Sequence, residues 1–259
     1  MNATPASPAD YQVPPEIYDV GVGWDPQPET NRLLFLAGQA GIASPRGVLE
    51  LGCATGRLLT PLVEVCPRVS GLELHGPFVE FARSHTAAEI QLGDMTDFDL
   101  GASFDLIFTS ANTVRHVLTD DAVENFWRCV NRHLAPGGVF IADVELGRRH
   151  AEENAGKAVA WEISRGPYRV RVSWLPKQVP NSTTQLVPVE YKFDSLSHQP
   201  GRWTSAFALR MYEAPEFQDL ACRIGGLTPC GLYENREPYL LESPAEKAEG
   251  RHLAVFKKT

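Results

Sequence analysis

The sequence predicts an α/β protein: a mainly parallel sheet with helices on both faces and an inserted antiparallel sheet. Three observations carry this. From residue 45 to about 150, short apolar runs suited to buried strands alternate with helical patterns, which is the signature of βαβ units. From 151 to 212 the texture becomes apolar–polar alternation, broken at Gly166-Pro167, Pro180-Asn181 and Pro200-Gly201, as in antiparallel sheet with one wet face. The chain has 259 residues, 43% of them hydrophobic, which is enough to bury a core of that size.

The elements follow in order. "GVLELGC" (47–53), bounded by Pro45 and by glycines, suits a strand buried on both faces. "GRLLTPLVEVC" (56–66) has helical spacing, with Pro61 tolerated only near its first turn. "VSGLEL" (69–74) is a second strand, and "PFVEFARSH" (77–85) is a helix with Pro77 near its start. "IQLGD" (90–94) and "FDLIFTSA" (104–111) are further strands. A helix over 119–134 enters through Thr119-Asp120-Asp121 and ends at "LAPGG", and "VFIADV" (139–144) is the fifth strand. The alternating run is "AVAWEIS", "YRVRVSWL", "QLVPVEYKF" and "RWTSAFALRMY". A last helix (214–225) and the strand "HLAVFKK" close the chain. The expected division is a tail with covering helices (1–44), a ligand-binding core (45–150), an inserted substrate lid (151–212), and the final helix and strands (213–259).

Composition narrows the function. A net charge of −8 without a basic block argues against a nucleic-acid partner, because phosphate binding needs clustered positive charge. Cys53, Cys66, Cys129, Cys222 and Cys230 stand alone and read as packing residues. No metal is expected, since no His/Asp/Glu cluster has ligand spacing. No apolar run approaches ~18 residues, so no membrane partner is expected. "MNATPASPADYQVPP" has neither the basic start nor the apolar stretch of a secretory signal. It reads as a disordered tail, with a cytoplasmic address as the default.

The chemistry concentrates after the first strands. Gly52 and Gly56 follow a buried strand and precede a helix, and in open α/β sheets ligands bind beyond the carboxyl ends of the strands. Glycine there admits positive φ and close approach of a ligand to bare backbone, while the helix start favours anionic groups. The spacing G-x-A-x-G is not the dinucleotide fingerprint G-x-G-x-x-G. Glu73 lies 17 residues after Gly56 at a strand end, where an acid can accept both hydroxyls of a ribose. Asp94 follows the third strand, placed to accept from an adenine amino group while Met95 covers the ring; a plain turn aspartate fits equally well.

"VLELGCATG", "GLEL", "LGDM", "FDLIFTSANTVRHV" and "LAPGG" resemble, in order and spacing, the class I S-adenosylmethionine-dependent methyltransferases over about residues 15–146. The resemblance implies a Rossmann-like seven-stranded sheet with S-adenosylmethionine as cofactor. It implies that Glu50, Gly52, Ala54 and Gly56 line the methionine half of the cofactor. Glu73, with Leu74 beside it, would hold the ribose, Asp94 and Met95 would frame the adenine, and Ser110 would contribute from the fourth strand. Ala54 stands where the family usually has glycine. "SANTVRHV" is similar to the segment that glycine and amino-sugar N-methyltransferases place under the sulfonium. By position Asn112 would bond a substrate polar group and His116 would lie near the acceptor. "YDVGVGW" resembles the same families' amino-terminal cover, putting Tyr18 and Trp24 over the cofactor; hydrophobic docking of the tail is the competing reading for both.

The expected activity is methyl transfer to nitrogen or oxygen of a small molecule by in-line displacement, with a lean to nitrogen. His116 is the candidate base if the acceptor is a hydroxyl, and a satisfied structural histidine otherwise. The inserted strands carry Trp161, Tyr168, Trp174, Tyr191, Trp203 and Tyr212, which suit either a pocket wall or a core. Arg169 and Arg171 share a strand face, and Glu145, Arg148 and Arg149 follow the fifth strand at the expected pocket mouth. The partner expected is a small-molecule substrate, with a homodimer left open. Three other readings compete: a cofactor-binding regulatory subunit without catalysis, a nucleic-acid methyltransferase, and a dinucleotide oxidoreductase. The nucleic-acid reading is weakened because "SANT" replaces the Asn/Asp-Pro-Pro-aromatic motif.

Overall fold

The computed structural model describes residues 12–178, 185–235 and 240–259. The stretch expected to form a tail lies, up to residue 11, outside them. Helices α1 (Pro15–Gly21) and α2 (Gln27–Gln39) precede β1 (Gly47–Leu51). Then come α3 (Leu59–Leu62), β2 (Arg68–Glu73), α4 (Gly76–His85), β3 (Glu89–Leu92), β4 (Phe104–Thr109), α5 (Asp120–His133) and β5 (Leu134–Leu146). Helix α6 (Arg148–Asn154) leads into β6 (Val159–Arg165), β7 (Tyr168–Pro176), β8 (Leu186–Ser195) and β9 (Gly201–Arg210). The chain finishes with α7 (Ala214–Arg223), β10 (Leu227–Asn235), β11 (Leu240–Glu242) and β12 (Gly250–Lys258).

The central sheet runs β11-β10-β12-β5-β4-β1-β2-β3, with β3, β2, β1, β4 and β5 parallel and β12 antiparallel to β5. It has eight strands where seven were expected. The extra one is β11, three residues paired antiparallel to β10 at the sheet edge. An edge strand that short has no periodicity of its own to read.

Alternation along the interior strands divides their side chains between two cores. Val48, Leu106, Phe108, Val139, Ile141, Leu253 and Val255 pack with α2, α3 and α4 on one face. Leu49, Leu51, Ile107, Phe140, Ala142, Ala254 and Phe256 pack with α5 and α7 on the other. Each interior strand therefore had to be apolar throughout, which is why the sequence shows these strands as unbroken runs. Helix α5 starts as expected: Thr119 Oγ1 accepts from the Ala122 amide at 3.3 Å, with Asp120 and Asp121 in the first turn.

Three elements depart from expectation in length. The helix expected over 56–66 shrinks to the four residues of α3, because Gly56 is left-handed at φ 76° and Pro61 removes a donor. The strand expected over 104–111 stops at Thr109, because Ala111 and Asn112 adopt φ 48° and 66°. The strand expected over 139–144 extends to 134–146, with "LAPGG" as its irregular start.

The inserted strands form a second antiparallel sheet in the order β6-β7-β8-β9. Its apolar face packs against α1, where Val170, Val172, Tyr191 and Phe193 meet Ile17 and Val20. The approach is close: a Cβ on Gly21 would lie 2.7 Å from the Phe193 ring. Trp161 Nε1 donates to the Gly21 carbonyl at 2.7 Å. No helix among the described residues is long and apolar enough to cross a membrane. All five cysteines are free thiols.

Candidate active site

A cleft of about 320 Å³ opens beyond the carboxyl ends of β1, β2, β3 and β4, where an open α/β sheet places its ligand. One end is walled by Gly52 and Ala54 after β1, by Glu73 and Leu74 at the end of β2, and by Asp94 and Met95 after β3. The other end is walled by Tyr18 of α1, by Thr113, His116 and Leu118 after β4, and by Phe207 of β9. Of the nine residues nominated for the cofactor besides the cover, six line this cleft.

The turn after β1 is stitched to the end of β2. The amides of Gly52 and Cys53 both donate to the Leu72 carbonyl, at 2.8 and 3.1 Å. Glu73 is buried, and its carboxylate accepts from the Ala54 amide at 2.8 Å on Oε2 and from the His75 amide at 2.9 Å on Oε1. Those two bonds fix both oxygens while leaving each with acceptor capacity for a ligand's hydroxyls. Ala54 sits at φ 48°, the geometry that makes glycine usual in this turn; an L-residue there costs about 1–2 kcal/mol. Asp94 holds Thr96 through Oδ1, which accepts from its amide and its hydroxyl at 2.8 Å each.

Several nominated residues lie elsewhere. Glu50 is turned into the sheet, with Oε1 accepting from Ser110 Oγ at 2.8 Å and Oε2 buried without a partner. Burial pushes its carboxyl up to about 8, against smaller opposing effects of the Ser110 hydrogen bond and the Arg57 charge. Ser110 instead borders a separate polar cavity of about 10 Å³ with Glu29, Thr109 and Asp143. Gly56 faces α4, where a Cβ would lie 3.1 Å from Thr86 Cγ2. Trp24 stands outside the cleft, its ring 5.3 Å from that of Trp161. Asn112 braces the scaffold through Oδ1, which accepts from the Glu145 amide at 2.6 Å and ties the turn after β4 to the end of β5.

His116 does reach the cleft, with its ring 5.0 Å from Phe207. The residue is solvent-exposed within the cleft. Desolvation by the surrounding walls, then the Arg115 charge and His75, push its pKa down to about 4, so it is a neutral imidazole at pH 7. A neutral imidazole can accept a hydrogen bond and orient an amine, and at that pKa it is a weak proton acceptor.

The six aromatic residues singled out in the inserted strands do not line the cleft. Arg169 and Arg171 both pair with Glu162 on an exposed face. Arg149 pairs with Glu249, and Arg148 with Glu152, while Glu145 pairs with the buried Arg115 at 3.2 Å. Among the residues that line the cleft unforeseen are Phe207, His75, Phe78, Thr96 and Thr113. The helix-start pattern around His75 and Phe78 was the one sequence signal that could have found any of them; Phe207 had none.

Comparison with known proteins agrees with this geometry. Residues 48–138 match a family model described as a methyltransferase domain. The chain is 36% identical over 99 residues to a dTDP-4-amino-2,3,4,6-tetradeoxy-D-glucose N,N-dimethyltransferase of Saccharopolyspora spinosa, covering 38% of this chain and 40% of that protein. It is 31% identical over 153 residues to a dTDP-3-amino-3,6-dideoxy-alpha-D-glucopyranose N,N-dimethyltransferase of Streptomyces fradiae, covering 55% of this chain and 57% of that one. The matches thus span about half the length of these relatives, or less. In fold, the chain is similar to Streptomyces venezuelae DesVI, with a TM-score of 0.78 at 19% identity over 99% of this chain and 100% of that one. It is similar also to SAM-bound CalS10, an amino pentose methyltransferase from Micromonospora echinaspora, with a TM-score of 0.74 at 21% identity over 94% and 96%. Over residues 48–138 the chain matches the sequence pattern of a methyltransferase domain, and its fold is that of the solved S-adenosylmethionine-bound methyltransferase it is similar to.

Proposed function

We propose that the chain transfers a methyl group from S-adenosylmethionine to the nitrogen of a small-molecule amine, with an amino sugar as the acceptor class. The observation that carries this is the Glu73 carboxylate in the cleft wall, locked through the Ala54 amide to the glycine turn. That arrangement suits a ribose diol on Glu73, with Leu74 beside it, an adenine against Asp94 and Met95, and a methionine tail over Gly52 and Ala54. Tyr18 would cover the reacting centre from α1. The lean to nitrogen is supported by the relatives, which are named as N,N-dimethyltransferases of dTDP-linked amino sugars.

S-adenosylmethionine supplies a methyl group already activated on a sulfonium, so the chain needs no nucleophile of its own. The acceptor nitrogen would take that methyl group as the carbon–sulfur bond breaks with its electron pair staying on sulfur, and the methylated nitrogen would then release a proton to solvent. The protein's part is to align the two atoms and keep water away, which can supply ~7–11 kcal/mol of the barrier. Tyr18, Phe78 and Phe207 would form the dry wall. His116, neutral, would accept from the amine N–H and turn its lone pair toward the methyl group.

The test is calorimetry with S-adenosylmethionine, S-adenosylhomocysteine and NAD, followed by incubation with methyl-labelled donor and an amino-sugar panel read by mass. Binding of NAD in preference to the sulfonium pair would reject the proposal. Glu73→Ala is expected to weaken S-adenosylhomocysteine binding by about 1–3 kcal/mol, through loss of charged hydrogen bonds; an unchanged Kd would remove the ribose role. His116→Ala is expected to lower turnover by about 10²-fold while cofactor affinity holds. A soluble, folded variant with full turnover would show that the imidazole is only part of the wall.

A further inference from the structure

We infer that the acceptor amine is borne by a molecule without a diphosphate, such as a free or glycosidically linked amino sugar, and not by a nucleotide sugar. The inference rests on the methyl-transfer reading and narrows its substrate. A bound diphosphate needs Arg or Lys side chains, or helix N-termini with free amides and unopposed dipoles. At this cleft the nearby guanidiniums are paired elsewhere, and both helix starts are partly closed or opposed by acids.

The guanidiniums flanking the acceptor wall are turned away. Arg115, next to His116, is buried; it pairs with Glu145 at 3.2 Å and donates to the Arg210 carbonyl at 2.8 Å. Arg210, three residues beyond Phe207, is buried too and pairs with Asp120 at 2.7 Å. No Arg or Lys lines the cleft among the described residues. The segments outside them contain a single basic side chain, Arg236.

Two helices begin at the cleft. The start of α5 is closed by the Thr119 hydroxyl and carries Asp120 and Asp121 in its first turn, which oppose its positive end. At α4 the His75 amide is held by Glu73, and Pro77 has no N–H to offer. With Glu73 and Asp94 given to the cofactor, what remains on the wall is hydroxyls, imidazoles and apolar rings. That surface offers no counter-charge to a polyanion, and the chain's charge of −8 reinforces the bias.

The experiment uses the full chain and three probes: dTDP alone, dTDP-4-amino-4,6-dideoxy-D-glucose, and the methyl glycoside of the same amino sugar. Calorimetry with S-adenosylhomocysteine comes first. The expected results are that S-adenosylhomocysteine binds and that dTDP, added to that complex, shows no saturable binding up to about 1 mM. With labelled donor, the glycoside is expected to exceed the nucleotide sugar in kcat/KM by about tenfold or more. Micromolar binding of dTDP, or a nucleotide sugar methylated as well as its glycoside, overturns this inference and leaves the methyl-transfer reading intact. If neither sugar is methylated, the dTDP titration decides alone. Failure of S-adenosylhomocysteine to bind would remove the methyl-transfer reading, and this inference with it.

Discussion

Gly52→Val is expected to abolish measurable S-adenosylhomocysteine binding, a loss of about 100-fold or more, in a protein that still folds. Gly52 adopts φ 72°, where a β-branched residue is strongly disfavoured. A Cβ at this position would lie 2.4 Å from Thr113 Cγ2, below any real contact. Gly52 and Thr113 both line the cleft, so the clash falls between its two halves. Either Thr113 retreats and carries the His116 segment with it, or the valine side chain takes space proposed for the cofactor. Left-handed strain alone costs about 1–2 kcal/mol, a dose that a domain of ordinary stability survives. The measurement is calorimetry alongside a thermal melt, with Gly52→Ala as the milder companion. A folded Gly52→Val protein that binds with the wild-type Kd would show that the cofactor lies elsewhere.

Glu50→Gln is expected to stabilise the protein at neutral pH by about 3 kcal/mol, with the gain shrinking as the pH falls. Burial raises the Glu50 carboxyl from its ordinary 4.5 to about 8, and Oε2 has no hydrogen-bond partner. Below pH 4.5 the group is protonated whether the chain is folded or not, and it makes no difference to stability. Between 4.5 and 8 the unfolded chain releases the proton and the folded chain keeps it, so stability falls as the pH rises. Above 8 both forms are ionised and the loss levels off. Glutamine keeps an oxygen for the Ser110 hydroxyl and cannot ionise, so the variant lacks this slope. Urea unfolding of both proteins at pH 5, 7 and 8.5 tests the sign; a variant equally or less stable at pH 8.5 would refute the buried neutral carboxyl.

Much of the fold and half of the site could be read from residue order. The turn around Gly52 and Ala54 and the acids Glu73 and Asp94 follow strand ends within a few residues, so each strand's pattern located its own end. The same reasoning nominated Glu50 for the cofactor and could not show its bond to Ser110, because that bond depends on β1 lying beside β4. The tie made by Asn112 was out of reach for the same reason: its partner is an amide of β5, 33 residues away in sequence. Tyr18 and Trp24 were indistinguishable in the sequence, yet one lines the cleft and the other packs on Trp161.

Strand and helix types, the buried character of the interior strands, the glycine turn and the strand-end acid Glu73 were set by local preferences. Backbone φ, capping and side-chain periodicity act over a handful of residues and leave their mark in composition. The eighth strand, the delivery of Phe207 from the inserted sheet, and the burial of Arg115 and Arg210 away from the cleft came from contacts between residues distant in the chain. Those depend on which strands become neighbours and which face each side chain then meets, and a shift of one residue in register would reverse every assignment.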